Sequence, residues 1–288
     1  MKNSIICAIL FSFVIAMNSC NNPNIDVQGH RGFRGLYPEN TIIGFQKAAE
    51  IGVNTLEMDV VISGDGKVVV SHDPFILPEI CLHPERIAFE RVSFVIYQMS
   101  FDSLKAFDCG SKGNERFPDQ SKLRANKPLL SEVLEEFESG DLSLQYNIEL
   151  KSTPTGDGVL HPGPEVFSDI VMTLLKKYNL GQRLTIQCFD PRILNYFHRA
   201  YPKVKLAYLI EGRADIDENL ELLEFIPEIY SCDYGLLNAD RINHCHELGM
   251  QVIPWTVNKV SDMQDLMNWG VDGIITDYPD RLLNLLKK

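Results

Sequence analysis

The chain has no surplus of positive charge: 27 Lys and Arg stand against 39 Asp and Glu among 288 residues, a formal net charge of -12 at pH 7. Gripping a nucleic-acid backbone needs a basic surface, so nucleic acid is excluded as the main partner, and an anionic ligand must be held by local cationic groups. Long apolar runs are also missing. The one sustained run, residues 5–17, is too short to span a bilayer with ease. Internal repeats and low-complexity blocks are absent as well.

The apolar run follows Lys2 and precedes Asn18, Ser19 and Cys20. That order looks like a bacterial lipoprotein signal cut before Cys20, with a plain secretory signal as the other reading. Either one exports the protein. The expected division is a signal peptide at 1–19, a lipidated tether at 20–24 and a single catalytic domain at 25–288. The first reading places the protein in the cell envelope, on the membrane through Cys20. Of seven cysteines, Cys7 leaves with the signal and Cys20 is taken by lipid, so five remain. Cys188 and Cys232 lie in apolar strand-like runs and read as buried thiols. Cys81 and Cys109 flank one excursion from the regular pattern and are candidates for a disulfide.

Hydrophobic residues make up 45% of the chain, enough for a large core in one domain. Strand patterns fall near 25–29, 55–62, 67–72, 143–150, 183–189, 205–210, 228–233, 251–257 and 273–276. Helical patterns fall at 41–51, 130–138, 164–178, 191–201, 217–224, 239–248 and 259–269. Repeated βα units imply a parallel sheet, and about eight of them suggest closure into a TIM-type (β/α)8 barrel. There are nine strand candidates for eight places. The short turn Gly64, Asp65, Gly66 suits an antiparallel hairpin, so the irregularity is expected near the second strand. Residues 74–128 are too weakly periodic for a separate large domain and read as an insertion over the barrel mouth.

The chemistry-bearing residues gather early. His30 closes an apolar run and is followed by Arg31 and the flexible Gly32. Glu57 and Asp59 stand two apart in a strand pattern, so both carboxylates point to one face. Taken alone, such a pair would suit a solvated strand face. Their place between two histidine motifs favours an inward pair, which needs a counter-charge such as a divalent cation. His72 and Asp73 end the next run.

These residues resemble the glycerophosphodiester phosphodiesterase family, through HRG (30–32), PENT (38–41), the Glu57-Met58-Asp59 triplet and the His72-Asp73 pair. The likeness continues in NIELK (147–151), IQCF (186–189), PWTVN (254–258) and GVDGIITDYP (270–279), and so covers nearly the whole mature chain. It implies that His30 and His72 are catalytic, as imidazoles able to take and give a proton near neutrality. It also implies that Glu57, Asp59 and Glu149 hold one divalent cation, Ca2+ or Mg2+ by their oxygen ligands. Arg31 reads as a clamp on phosphate and Lys151 as a further positive charge beside it. Glu39 reads as a ligand of the metal or of a glycerol hydroxyl while Asn40 caps the next helix. Trp255 reads as an apolar wall against glycerol carbons or as a packing residue. Asp272 and Asp277 are expected to orient closing loops, and His244 and His246 to lie on the surface.

The implied activity is hydrolysis of glycerophosphodiesters to an alcohol and sn-glycerol 3-phosphate. A lysophospholipase-D-like or phosphoinositide-type activity on the same residues is the alternative enzyme, and a non-catalytic binding lipoprotein the alternative class.

Overall fold

The computed structural model describes residues 25–140, 143–212 and 215–287; the expected export signal and Cys20 tether lie outside the described residues. The chain opens with β1 (Asp26–Gly29), α1 (Ile42–Ile51), β2 (Thr55–Ile62) and β3 (Val68–Val70), followed by the short α2 (Phe101–Leu104) and by α3 (Leu130–Glu138). Alternation then becomes regular: β4 (Gln145–Leu150), α4 (Pro164–Leu175), β5 (Leu184–Cys188), α5 (Pro191–Ala200), β6 (Lys205–Ile210), α6 (Ile216–Leu220) and β7 (Ile229–Cys232). It ends with α7 (Ala239–Glu247), β8 (Gln251–Val252), α8 (Val260–Trp269), β9 (Gly273–Thr276) and α9 (Pro279–Leu286).

Local signals set these boundaries. Thr41 caps α1 by accepting from the Gly44 N–H at 3.1 Å, and Gly52 ends it in the left-handed region at φ 91. Asp190 caps α5, with Pro191 in the first turn where its missing N–H costs nothing. Asn40, expected as the cap of α1, does not serve as one; its side chain is used elsewhere. The final helix α9 was not anticipated, although Pro279 at its start is a helix-opening signal.

The strands lie in the order β8-β7-β6-β5-β4-β2-β1-β9, all parallel, with β3 paired antiparallel to β2 off this path. Hydrogen bonds from Asp272 N to Val252 O and from Ile275 N to Pro254 O, both 3.0 Å, bring the two ends together into a nearly closed barrel. The expected irregularity therefore falls where the Gly-Asp-Gly turn predicted it. The segment expected as a strand at 251–257 is regular only over Gln251–Val252 and meets its neighbours through irregular bonds beyond.

Parity along β2 sorts its residues: Leu56, Met58 and Val60 face the helices and join the main core, while Glu57 and Asp59 face the barrel interior. Inside the barrel a small apolar plug of Ala207, Ile229, Ile253 and Ile275 shares the space with buried Gln28, Asn147 and Gln187.

Residues 74–128 carry their own small core, in which Ile76, Leu77, Ile80, Ile96, Leu104 and Phe107 pack against Val61 and Val69 of the hairpin. Within it Cys81 and Cys109 form a disulfide, and Cys188, Cys232 and Cys245 are buried free thiols. Removing that bridge as Cys81→Ala with Cys109→Ala is expected to lower unfolding stability by roughly 3 kcal/mol through a less constrained unfolded chain. Denaturant unfolding beside non-reducing peptide mapping checks this; two free thiols at 81 and 109 in the native protein would contradict the pairing.

Candidate active site

The mouth of the barrel is built at the C-terminal ends of the strands. Just past β1 the chain turns sharply: Arg31 adopts φ 52 and Gly32 φ 87. A Cβ on Gly32 would stand 2.7 to 2.9 Å from the backbone of Gly44 and Phe45, so only glycine lets the turn nest against α1. The turn aims the Arg31 N–H at Glu57 Oε2, 2.9 Å away.

Three carboxylates converge. Glu57, Asp59 and Glu149 are all buried and each offers an oxygen within 4.8 Å of the others. Each is held by a specific donor. Gln187 Nε2 donates to Glu57 at 2.7 Å, Asn40 Nδ2 to Asp59 at 2.8 Å, and Lys151 Nζ to Glu149 at 2.6 Å. Asn147 in turn donates to Gln187 and Gln28, a buried relay beneath the acids.

The electrostatics are those of a crowded acid cluster. Burial and the neighbouring Asp59 charge push Glu57 well above the usual carboxylate range. Burial also pushes Glu149 up to about 7, with Lys151 opposing. Asp59 stays well below the usual range because Arg31, His72 and Lys151 outweigh its burial. Its Oδ1 is buried without a hydrogen-bond partner, at 3.7 Å from the Lys151 ammonium. An orphaned carboxylate oxygen among three hard-oxygen ligands fits a divalent cation. The cluster is thus a potential divalent-cation site.

His30 and His72 line one cavity of about 420 Å³ together with Arg31, Glu57, Glu149, Lys151 and Trp255. Asp59 lies in the acid cluster behind this surface. Glu39 is ion-paired to Arg31 Nη1 at 2.9 Å. Trp255 crosses Phe189 edge to face at 5.5 Å, and its indole N–H donates to Ser231 O. A larger cleft of about 520 Å³ on the outside, by α3 and α4, holds neither an imidazole nor an acid cluster.

Several residues at the site escaped the sequence reading. Asp277, expected only to orient a loop, bonds His30 Nδ1 through Oδ1 at 2.7 Å, and Arg34 and Asn258 also hold it. His30 is driven down to about 4 by burial and by Arg34 and Arg31, against the pull of Asp277, so it rests as a neutral imidazole. With Nδ1–H given to Asp277, Nε2 is left as the acceptor, and Arg31 Nε lies 3.3 Å from it. Burial also lowers His72, with Asp59 opposing, and its Nδ1 meets Asp73 at 3.1 Å. Arg116 reaches the cavity from the insertion, and Glu211 reaches it from just beyond β6. Asp277 follows the last strand directly, the same strand-end position that marked His30. Asp272 does orient a loop, accepting from the Val252 N–H, and His244 and His246 lie exposed in pairs with Asp217 and Asp272.

Two imidazoles, an acid cluster and cationic side chains surround one cavity at the barrel mouth, groups able to bind an anionic ester and to move protons. Residues 30–281 match the glycerophosphoryl diester phosphodiesterase family, and the chain belongs to it. A glycerophosphodiester phosphodiesterase of Caldanaerobacter subterraneus is 30% identical over 262 residues, 91% of this chain and 98% of that protein. One of Bacillus subtilis is 30% identical over 276 residues, covering 90% and 85% of the two chains. The solved structure of a Silicibacter pomeroyi protein superposes with a TM-score of 0.81 at 28% identity, covering 91% of this chain and 94% of that one. The chain is therefore a phosphodiesterase acting on glycerophosphodiesters.

Proposed function

We propose that the enzyme hydrolyses glycerophosphodiesters to an alcohol and sn-glycerol 3-phosphate by acid/base catalysis between His30 and His72. The observation that carries this is the convergence of both imidazoles with Glu57 and Glu149 on one cavity. His30, neutral and oriented by Asp277, takes the proton of the nucleophile at Nε2. The nucleophile is a water, or the substrate's own neighbouring hydroxyl, which gives a cyclic phosphate that a water then opens to sn-glycerol 3-phosphate. His72 gives a proton to the departing alkoxide, and the arriving phosphodiester anion favours its charged form. Arg31, set by Glu39, and Lys151 neutralise the phosphoryl oxygens. Glu57, Asp59 and Glu149 would hold Ca2+ or Mg2+, which would supply further charge neutralisation there. Trp255 with Phe189 forms the wall for the glycerol carbons.

In this reading residues 25–288 are one catalytic domain, and 74–128 an insertion that shapes the pocket through Arg116. The protein is exported and lipid-anchored at Cys20 in the cell envelope. The disulfide in the insertion supports an oxidising compartment, and no helix among the described residues is long and apolar enough to cross a membrane. Phosphorus NMR of several glycerophosphodiesters tests the activity, with a transient cyclic phosphate marking attack by the substrate hydroxyl. Failure to consume any of them would overturn it.

Asp277→Asn is expected to lower kcat/KM on the order of 10²-fold by unsettling the His30 tautomer. The carboxylate favours the imidazolium, so its loss also moves the acid limb of the kcat/KM profile to lower pH. An unmoved acid limb would make Asp277 merely structural.

A further inference from the structure

The exposed large apolar side chains at the base of the barrel are unevenly spread. Helices of a parallel barrel end, and its strands begin, at the end opposite the mouth. There Ile51 closes α1 ahead of β2, Leu222 and Ile226 lie between α6 and β7, Leu248 follows α7 ahead of β8, and Trp269 closes α8 ahead of β9. These five are 36% to 51% exposed. With the sheet nearly closed, β7, β8, β9, β1 and β2 are consecutive around it, so the five form one arc with the start of β1 inside it. Among the described residues, the connections ahead of β4, β5 and β6 carry no exposed large apolar side chain.

The chain enters the barrel within this arc, where Asp26 N donates to Asp272 O at 3.0 Å. A tether of residues 20–24 reaches at most roughly 18 Å. A ten-residue helix such as α8 already spans ~15 Å, and the mouth loops stand beyond it. An anchor at Cys20 therefore holds the base of the barrel, not its mouth, near the lipid.

We propose that this arc is the face on which the protein rests against a lipid bilayer, with Trp269 at the interface and the barrel mouth turned to water. The proposal rests on the anchored reading given under Proposed function. Tryptophan favours the interfacial zone, and apolar area buried in the interface adds to the binding that a lipid anchor gives. The chain as a whole is acidic, with a formal net charge of -12, so the proposal rests on apolar contact and not on attraction to anionic lipid. One consequence concerns substrate: glycerophosphodiesters reach the cavity from solution, while a lysophospholipid in the same bilayer is not presented to it. The competing orientation would seat the exposed Ile87, Val92 and Leu123 of the insertion, with Val159, Val166 and Val260 beyond the strand ends, on lipid and face the mouth to the membrane.

The chain's two tryptophans stand at opposite ends, Trp255 on the cavity and Trp269 on the arc. The full-length lipid-modified protein is placed on phosphatidylcholine vesicles with and without bromine on the acyl chains. Trp255→Phe leaves Trp269 as the emitter, and Trp269→Phe leaves Trp255. Brominated lipid is expected to quench Trp269 and leave Trp255 unchanged. Should Trp255→Phe not fold, the difference between the unsubstituted protein and Trp269→Phe supplies the Trp269 signal. Quenching of Trp255, or of neither ring, in protein that floats with the vesicles overturns the orientation and leaves the anchor standing. Protein that does not float and carries an unmodified Cys20 by mass spectrometry overturns the anchor, and the orientation with it.

Discussion

His72→Ala and His30→Ala are each expected to lower kcat by about 10² to 10⁴, the usual contribution of a positioned acid or base. The two defects should separate by leaving group. In the proposed mechanism an alkoxide leaving as a free alcohol takes its proton from His72, whereas a nitrophenolate is stable enough to depart without one. With a nitrophenyl diester the loss in His72→Ala should shrink markedly while that in His30→Ala persists. Steady-state kinetics on both substrate types decides the assignment. Equal losses on both substrates would remove the division of roles, and full activity in either variant would remove that histidine from the chemistry.

Removing the divalent cation with a chelator is expected to abolish turnover, and adding Ca2+ or Mg2+ back to restore it. The acid cluster also predicts how binding depends on pH. Glu57 and Glu149 are held above the usual carboxylate range, Glu149 at about 7, so they retain protons that a cation must displace. Binding should release protons and tighten as pH rises towards and through 7. Calorimetry in buffers of different ionisation enthalpy measures that release apart from activity. Asp59→Asn, which neutralises the one member of the trio kept ionised, should weaken binding by at least roughly 10²-fold. PH-independent affinity, or full turnover after metal stripping, would count against the site.

Much of this was legible in local patterns because the barrel repeats its own logic. Period-two strands and capped helices mark each unit, and the Gly64 to Gly66 turn marked the departure at β3. Glu57 and Asp59 could be read as an inward pair since strand parity forces residues two apart onto one face. Asn40 shows the limit. Asparagine and threonine are both good caps and stand side by side, and nothing local tells that Thr41 takes the helix while Asn40 turns to Asp59. Gln187 and Arg34 were equally silent, because their partners lie 130 and 243 positions away in the chain.

By itself the sequence determined the βα alternation, the acidic balance, the two imidazoles just past strand ends and the shared face of Glu57 and Asp59 within one strand, for these follow from spacing and residue type along a few neighbours. Only the tertiary structure decided that Asp277 orients His30, that Asn40 and Gln187 hold the acids, and that five apolar side chains share one arc around the chain's entry. Those pairings depend on closing the sheet, which sets side by side residues that no local spacing connects.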